Sequence, residues 1–114
     1  MSNRTQELEE LSTHFHAYFQ RMPDLGGKFM DHYVSTYEDG VLDAKTKRLA
    51  ALCGGIIAGC KGCILGQANH AVTQGATAEE ILEVCMVAVS LGGTLAGSQV
   101  SMVFQWLEEK GMIS

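Results

Sequence analysis

The sequence predicts an all-α protein, a helical bundle of about six helices. Apolar residues recur at spacings of three and four along most of the chain, no segment reads as a credible strand, and glycine, proline and capping residues punctuate the pattern at helical lengths. At 114 residues the chain fits one domain of ordinary size, so residues 1–114 are read as a single unit.

Leu8, Leu11, Phe15, Tyr18, Phe19 and Met22 define a first amphipathic helix ending near Met22-Pro23, with His14 and His16 on or beside its flanks. Leu25, Phe29, Met30, Tyr33 and Tyr37 carry the period into a second helix, terminated by Glu38-Asp39-Gly40. Asp43 caps a third, with Leu49, Leu52, Cys53, Ile56 and Ile57 on one face. Gly54-Gly55 weaken its centre and Gly59 offers a stop. A fourth helix begins at the cysteine pair, runs through Ile64, Gln67, Ala68, Ala71 and Val72, and ends at Gly75 in a left-handed cap. Thr77 with Glu80 forms a capping box that opens a fifth helix over 78–91. Its segment 84–89 is apolar nearly all round and needs cover on every side, as a central helix or an oligomer interface. After Gly92-Gly93 a sixth helix carries Leu95, Gln99, Val100, Met102, Val103, Phe104, Trp106 and Leu107 before Gly111. Met1 to about Asn3 and Gly111 to Ser114 are expected to fray.

The net charge of −5 and the absence of a Lys/Arg stripe argue against nucleic acid or an anionic membrane as partner. Lys45, Lys47 and Arg48 are the densest basic cluster, and beside Asp43 they read as a solvated helix face. No eighteen apolar residues run uninterrupted, and the start of the chain (Arg4, Glu7, Glu9, Glu10) lacks a signal-peptide segment, so a soluble cytoplasmic protein is expected. In a reducing cytosol a close cysteine pair is more often catalytic, redox-sensing or metal-binding than structural.

That pair is Cys60-Lys61-Gly62-Cys63. In the first turn of a helix this spacing brings the Cα atoms to about the 6 Å a disulfide requires. The helix N-terminus favours thiolate over thiol, Lys61 adds positive charge, and Gly62 leaves room for a reacting partner. One thiolate can attack a substrate and the other resolve the intermediate, with no cofactor required. The same spacing supplies half of a zinc site, but no second CxxC or HxxxH exists and only His70 and Cys53 lie within reach, so no metal is expected. Plain packing by buried cysteines is the bland alternative for Cys60 and Cys63, and the default for Cys53 and Cys85 on apolar helix faces.

The stretch LDAKTKRLAALCGGIIAGCKGCILGQANHAVTQGATAEEILEVCMVAVSLGG, residues 42–93, resembles the carboxymuconolactone decarboxylase/alkylhydroperoxidase D-like family. The resemblance rests on Cys60-Lys61-Gly62-Cys63-Ile64, on Ala71 with Gly75-Ala76-Thr77, and on Glu79-Glu80-Ile81. It implies a fold built on a helical hairpin and a homo-oligomer, commonly a trimer or hexamer. In the CxxC-containing peroxidase branch it implies a dithiol oxidoreductase that reduces hydroperoxides or passes electrons to a peroxiredoxin. There Cys63 attacks, Cys60 resolves, and a dedicated dithiol reductant restores the pair.

The family's proton relay has a glutamate twelve residues before the first cysteine and a histidine four after the second; here Arg48 and Gln67 stand in those positions. Neither is a general base. His70 is the nearest substitute, although an interface or partly buried histidine is the simpler reading. Arg48 would depress a cysteine pKa and could hold an anionic substrate if a chain reversal brought it close, since a straight helix puts it about 18 Å from Cys60; a solvated arginine is the alternative. Glu83 is a weaker relocated proton acceptor. Two other functions stay open: a decarboxylase-type enzyme of the family's other branch, and a non-enzymatic redox sensor or oligomeric scaffold. Mild oxidation is expected to remove two hydrogens and link Cys60 to Cys63 reversibly by mass spectrometry; two thiols that remain separately alkylatable would overturn the dithiol reading.

Overall fold

The computed structural model describes residues 3–114, and among them every regular element is helical. Helix α1 spans Asn3–Arg21, α2 Pro23–Thr36, α3 Ala44–Ala58, α4 Lys61–Thr73 and α5 Ala78–Glu109. The expected fifth and sixth helices follow one another directly as α5, joined across a kink where Gly93 takes φ 60° and ψ −141°. That conformation is open to glycine and costly for any residue with a Cβ.

The caps follow the local sequence. The Asp43 carboxylate accepts the Thr46 N–H at 2.8 Å and starts α3. Gly59, at φ 70°, ends it in a left-handed turn. Thr77 and Glu80 complete their capping box at the head of α5, where Lys45 of α3 also reaches Glu80 at 2.9 Å. Pro23 occupies the first turn of α2, where its missing N–H costs nothing.

The core lies among α3, α4 and α5: Leu52 and Ile56 from α3, Ile64, Leu65 and Ala68 from α4, and Ile81, Cys85, Val103, Trp106 and Leu107 from α5 are all essentially buried. Each fully buried large apolar side chain contributes about 1.5–3 kcal/mol. Expected fraying at the C-terminus is replaced by packing. The Met112 N–H bonds the Leu107 carbonyl at 3.0 Å, and Met112 and Ile113 rest against the core, so their apolar side chains gain more from burial than the short segment loses in freedom. The expectation for Met1 and Ser2 lies outside the described residues.

Helix α1 buries none of its residues completely and lies across the outside of the bundle. Its aromatic face meets α2 in a chain of rings, Phe15 to Phe19 to Phe29 to Tyr33 to Tyr37, with successive centroids 4.5–6.0 Å apart. Arg4 and Thr5 hold its start to Glu109 and Gln105 of α5. The all-round apolar start of α5 is covered on one side only: Ile81, Cys85 and Ala88 are buried while Met86, Val87 and Leu91 stay exposed. By length and composition alone α5 could cross a membrane, but its inner face belongs to the core of this bundle.

The tightest approach in the hairpin is at Gly55, where a Cβ would sit 3.1 Å from Cys63 Cβ and 3.3 Å from the backbone of Cys63 and Ile64. Gly54, one position earlier, faces open space. Alanine raises helix propensity by about 1 kcal/mol at both sites, but at Gly55 overpacking against backbone costs about 1–3 kcal/mol. Urea denaturation should therefore show G54A stabilised and G55A destabilised by about 1 kcal/mol; equal stabilisation of both would show that α4 yields freely.

Candidate active site

Gly59 reverses the chain so that α3 and α4 pack antiparallel, and this turn creates the site. The Cys60 N–H bonds the Gly55 carbonyl at 3.1 Å, which fixes Cys60 as the N-cap of α4. Cys60 and Cys63 are disulfide-bonded with Cα atoms 5.1 Å apart. The Cys63 N–H, an orphan donor of the first helical turn, points at Cys60 Sγ at 3.2 Å. The same N–H solvates a Cys60 thiolate when the pair is reduced, making Cys60 the better leaving sulfur. Cys63 is the more exposed of the two.

Lys61 is paired with α1. Its Nζ donates to Glu7 of α1 at 2.6 Å, and this bond, with a second from Arg4, holds the Glu7 carboxyl below its usual range. Leu11 of α1 comes within 3.8 Å of where a Gly62 Cβ would stand, so α1 passes directly over the redox segment.

The two residues standing in for the family's relay meet in space. Arg48 and Gln67 face one another across the hairpin, both buried, with Arg48 Nη1 donating to Gln67 Oε1 at 3.1 Å. Nη1 also donates to the Tyr33 hydroxyl at 2.7 Å, and Gln67 Nε2 donates to the same oxygen at 2.9 Å. Tyr33 thus accepts twice, and its own hydrogen remains available to donate. The guanidinium lies 3.7 Å from the Tyr37 ring centroid and 5.1 Å from that of Tyr33, a double cation–π arrangement. Burial is the main cause holding the Tyr37 phenol above its ordinary pKa, opposed in part by the Arg48 charge.

Arg48 is therefore not the solvated helix-face arginine that its basic neighbours suggest. It lies on the face of α3 that carries Leu52 and Gly55, so hairpin formation buries it while the exposed face takes the solvent. Sequence reasoning missed Tyr33 and Tyr37, which read as core aromatics. Their i, i+4 spacing opposite a lone arginine was the available signal.

His70, one turn past Gln67, is exposed and makes no hydrogen bond to either sulfur. Protein packed beside its ring, and then the Arg48 charge, hold its pKa below the ordinary 6.5. Glu83 faces a shallow cleft between α3 and α5 lined by Leu49, Val84 and Val87, away from the cysteines. Cys85 is buried, with its thiol pushed up to about 11, chiefly by burial and then by Cys53, as suits a packing residue. Among the described residues no cluster of His, Cys, Asp or Glu could hold a metal ion.

A CxxC pair at the head of the second helix of an antiparallel hairpin, inside an all-helical bundle, defines a dithiol helical-hairpin protein. The profile of the carboxymuconolactone decarboxylase family matches residues 23–107, and the chain belongs to that family. An uncharacterized protein of Cupriavidus necator is 30% identical over 86 residues, 75% of this chain and 76% of the relative. Uncharacterized protein 4 of the cox locus of Paracoccus denitrificans is 33% identical over 73 residues, 64% of this chain and 66% of its own. The crystal structure of an apo carboxymuconolactone decarboxylase family protein from Legionella pneumophila superposes with a TM-score of 0.88 at 28% identity, covering 96% of this chain and 97% of that one. A family protein from Thermotoga maritima, described as having a possible part in an antioxidative response, gives 0.77 at 25% identity over 94% and 97% of the two chains.

A depressed histidine pKa has a stability consequence. The unfolded chain binds the His70 proton more readily than the folded one, so this contribution is complete above pH 6.5 and is lost as pH falls through the lower folded value. Urea midpoints measured across that window should fall more steeply for the wild type than for H70Q. Parallel pH profiles would show that His70 titrates as it does in the unfolded chain.

Proposed function

We propose that the protein is a thiol–disulfide oxidoreductase that reduces small disulfides through Cys60 and Cys63. The observation that carries this is the replacement of the family's proton relay by the Arg48–Gln67–Tyr33 cluster, which supplies fixed positive charge and no general base. A fixed charge favours the thiolate. Disulfide exchange then needs little more, because its leaving group departs as a stable thiolate, whereas a peroxide must release an alkoxide that calls for a proton.

In the reduced protein the Cys63 thiolate attacks one sulfur of the substrate, forming a mixed disulfide and releasing one substrate thiolate, which takes a proton from water. Cys60 then attacks Cys63 Sγ, releasing the second thiolate and closing the protein disulfide. The substrate gains two electrons and two protons, and the dithiol loses them. A separate dithiol reductant would return the pair to the dithiol and complete the cycle, with an oxidised peroxiredoxin disulfide as an alternative acceptor in place of the small disulfide. Exposure of Cys63 and the N–H bond to Cys60 Sγ support this division of roles.

Peroxide reduction is the second reading, supported by the Tyr33 hydroxyl, whose hydrogen is not engaged by Arg48 or Gln67 and is a proton source for an alkoxide. The Thermotoga protein's antioxidative description points the same way. We further propose that copies of this chain cover the exposed Met86, Val87, Leu91 and Leu95 in a trimer or hexamer, and that the protein works in the cytoplasm.

Stopped-flow oxidation of the reduced protein separates the readings. A low-molecular-weight disulfide should react at least tenfold faster than with free dithiothreitol, with hydrogen peroxide no faster than with free thiol. C63S should abolish the reaction and C60S should stall it at the mixed disulfide. Fast peroxide consumption that Y33F removes would establish the second reading instead. Turnover of a carboxylactone retained by the double serine variant would overturn both.

A further inference from the structure

Arg48 is nine-tenths buried, with 9% of its surface exposed, and no carboxylate among the described residues lies within ion-pair distance of it. A buried charge without a counter-charge is costly. Both hydrogen bonds it donates leave from Nη1, to the neutral oxygens of Tyr33 and Gln67. Its Nε–H and its Nη2 hydrogens have no protein acceptor, yet neither nitrogen is sealed in the core; the only fully buried, unpaired side-chain nitrogen or oxygen among the described residues is Trp106 Nε1. Nε–H and one Nη2–H point the same way from the guanidinium plane, the fork that receives both oxygens of a carboxylate. Stacking on Tyr37 and the double bond to Tyr33 and Gln67 hold that fork in one orientation, so little freedom is lost when an anion docks.

The Arg48 guanidinium also bonds a residue one turn away from the cysteine pair. Gln67, 3.1 Å from Arg48, is four residues past Cys63 on α4, one helical turn or about 6 Å along the axis. We infer that Arg48 is the carboxylate-binding residue of the site, and that the substrates of the dithiol are small disulfides carrying a carboxylate a few carbons from the sulfur.

This inference rests on the disulfide-reductase reading for its substrate and on the Arg48 geometry alone for its anion. Arg48 acts here by direct contact with the substrate carboxylate. Any influence it has on the cysteine thiolates changes the rate with every substrate alike, whereas carboxylate recognition changes only the preference between charged and neutral substrates. His70 supplies an independent reporter, because the Arg48 charge helps hold its pKa down and a bound anion would offset that charge.

The experiment compares dithiodipropionate with its neutral diamide, taking the ratio of second-order rates with the reduced protein and dividing it by the same ratio for dithiothreitol. The expected normalised preference for the dicarboxylate is about tenfold in the wild type, the equivalent of one charged hydrogen-bonded contact. It should fall to about one in R48M and to an intermediate value in R48K, which keeps the charge and loses the fork. A normalised ratio near one in the wild type, or a ratio that R48M leaves unchanged, would overturn the inference. In parallel, the His70 imidazole is titrated by NMR in wild-type protein with butyrate and with matched chloride. A His70 pKa raised by butyrate and not by chloride supports the carboxylate site even where the protein reduces neither disulfide, an outcome that would fell only the reductase reading. An unmoved His70 pKa counts against the site without relying on any variant that might misfold.

Discussion

The contact that organises this protein is the approach of α3 to α4 where Gly55 meets Cys63. The helices come this close because one presents no side chain there, and a Cβ at Gly55 would lie 3.1 Å from Cys63 Cβ, tight enough that α4 would have to give by a few tenths of an ångström. The approach sets the register of the hairpin. Once Gly55 lies against Cys63, the antiparallel course of the helices carries Arg48, two turns back on α3, to a position opposite Gln67, one turn on in α4. The dithiol and the cation are thus consequences of a single packing constraint, and α5 closes the bundle over the apolar side of both helices.

Burial of a guanidinium beside two tyrosines and an amide is an uncommon solution for a small domain. The arrangement is tolerable because Tyr33, Gln67 and the faces of two aromatic rings replace part of the lost hydration. It also changes what the site can do. A glutamate–histidine pair moves protons, while an arginine–glutamine–tyrosine cluster chiefly holds charge in place. On the disulfide-reductase proposal, the chemistry of Cys60 and Cys63 is correspondingly weighted toward steps whose leaving groups depart as anions.

Much of the fold was legible because caps and period agreed. Asp43, Gly59, Gly75 and the Thr77–Glu80 box each terminate or start a helix where the local chemistry demands it. The break at Gly93 was legible too, although the chain resumes its helix so directly that the two predicted segments form one element. Burial was harder to read. Arg48 sits among Lys45 and Lys47, and composition alone assigns all three to solvent. Only the register of the hairpin separates Arg48 from its neighbours, with Lys47 bonding the carbonyls of Thr36, the last residue of α2, and of Glu38 in the turn beyond it, at the surface. Tyr33 was invisible as a polar group for the same reason: its ring belongs to the aromatic chain of α2, and its hydroxyl acquires a role only when α2 folds against the hairpin. Gly55, which seemed a weakness in α3, is the residue that lets the site form.

Helix α1 crosses the outer side of the cysteine segment, with Leu11 above Gly62 and Glu7 bonded to Lys61, yet buries none of its own residues completely. Local stability follows burial, so α1 is held less firmly than the α3–α4–α5 core. The outer flank of the disulfide is therefore bordered by an element held through polar and aromatic contacts rather than through the core. The surroundings of the sulfurs and the integrity of the fold thus rest on different contacts, the first partly on α1 and the second on the α3–α4–α5 core.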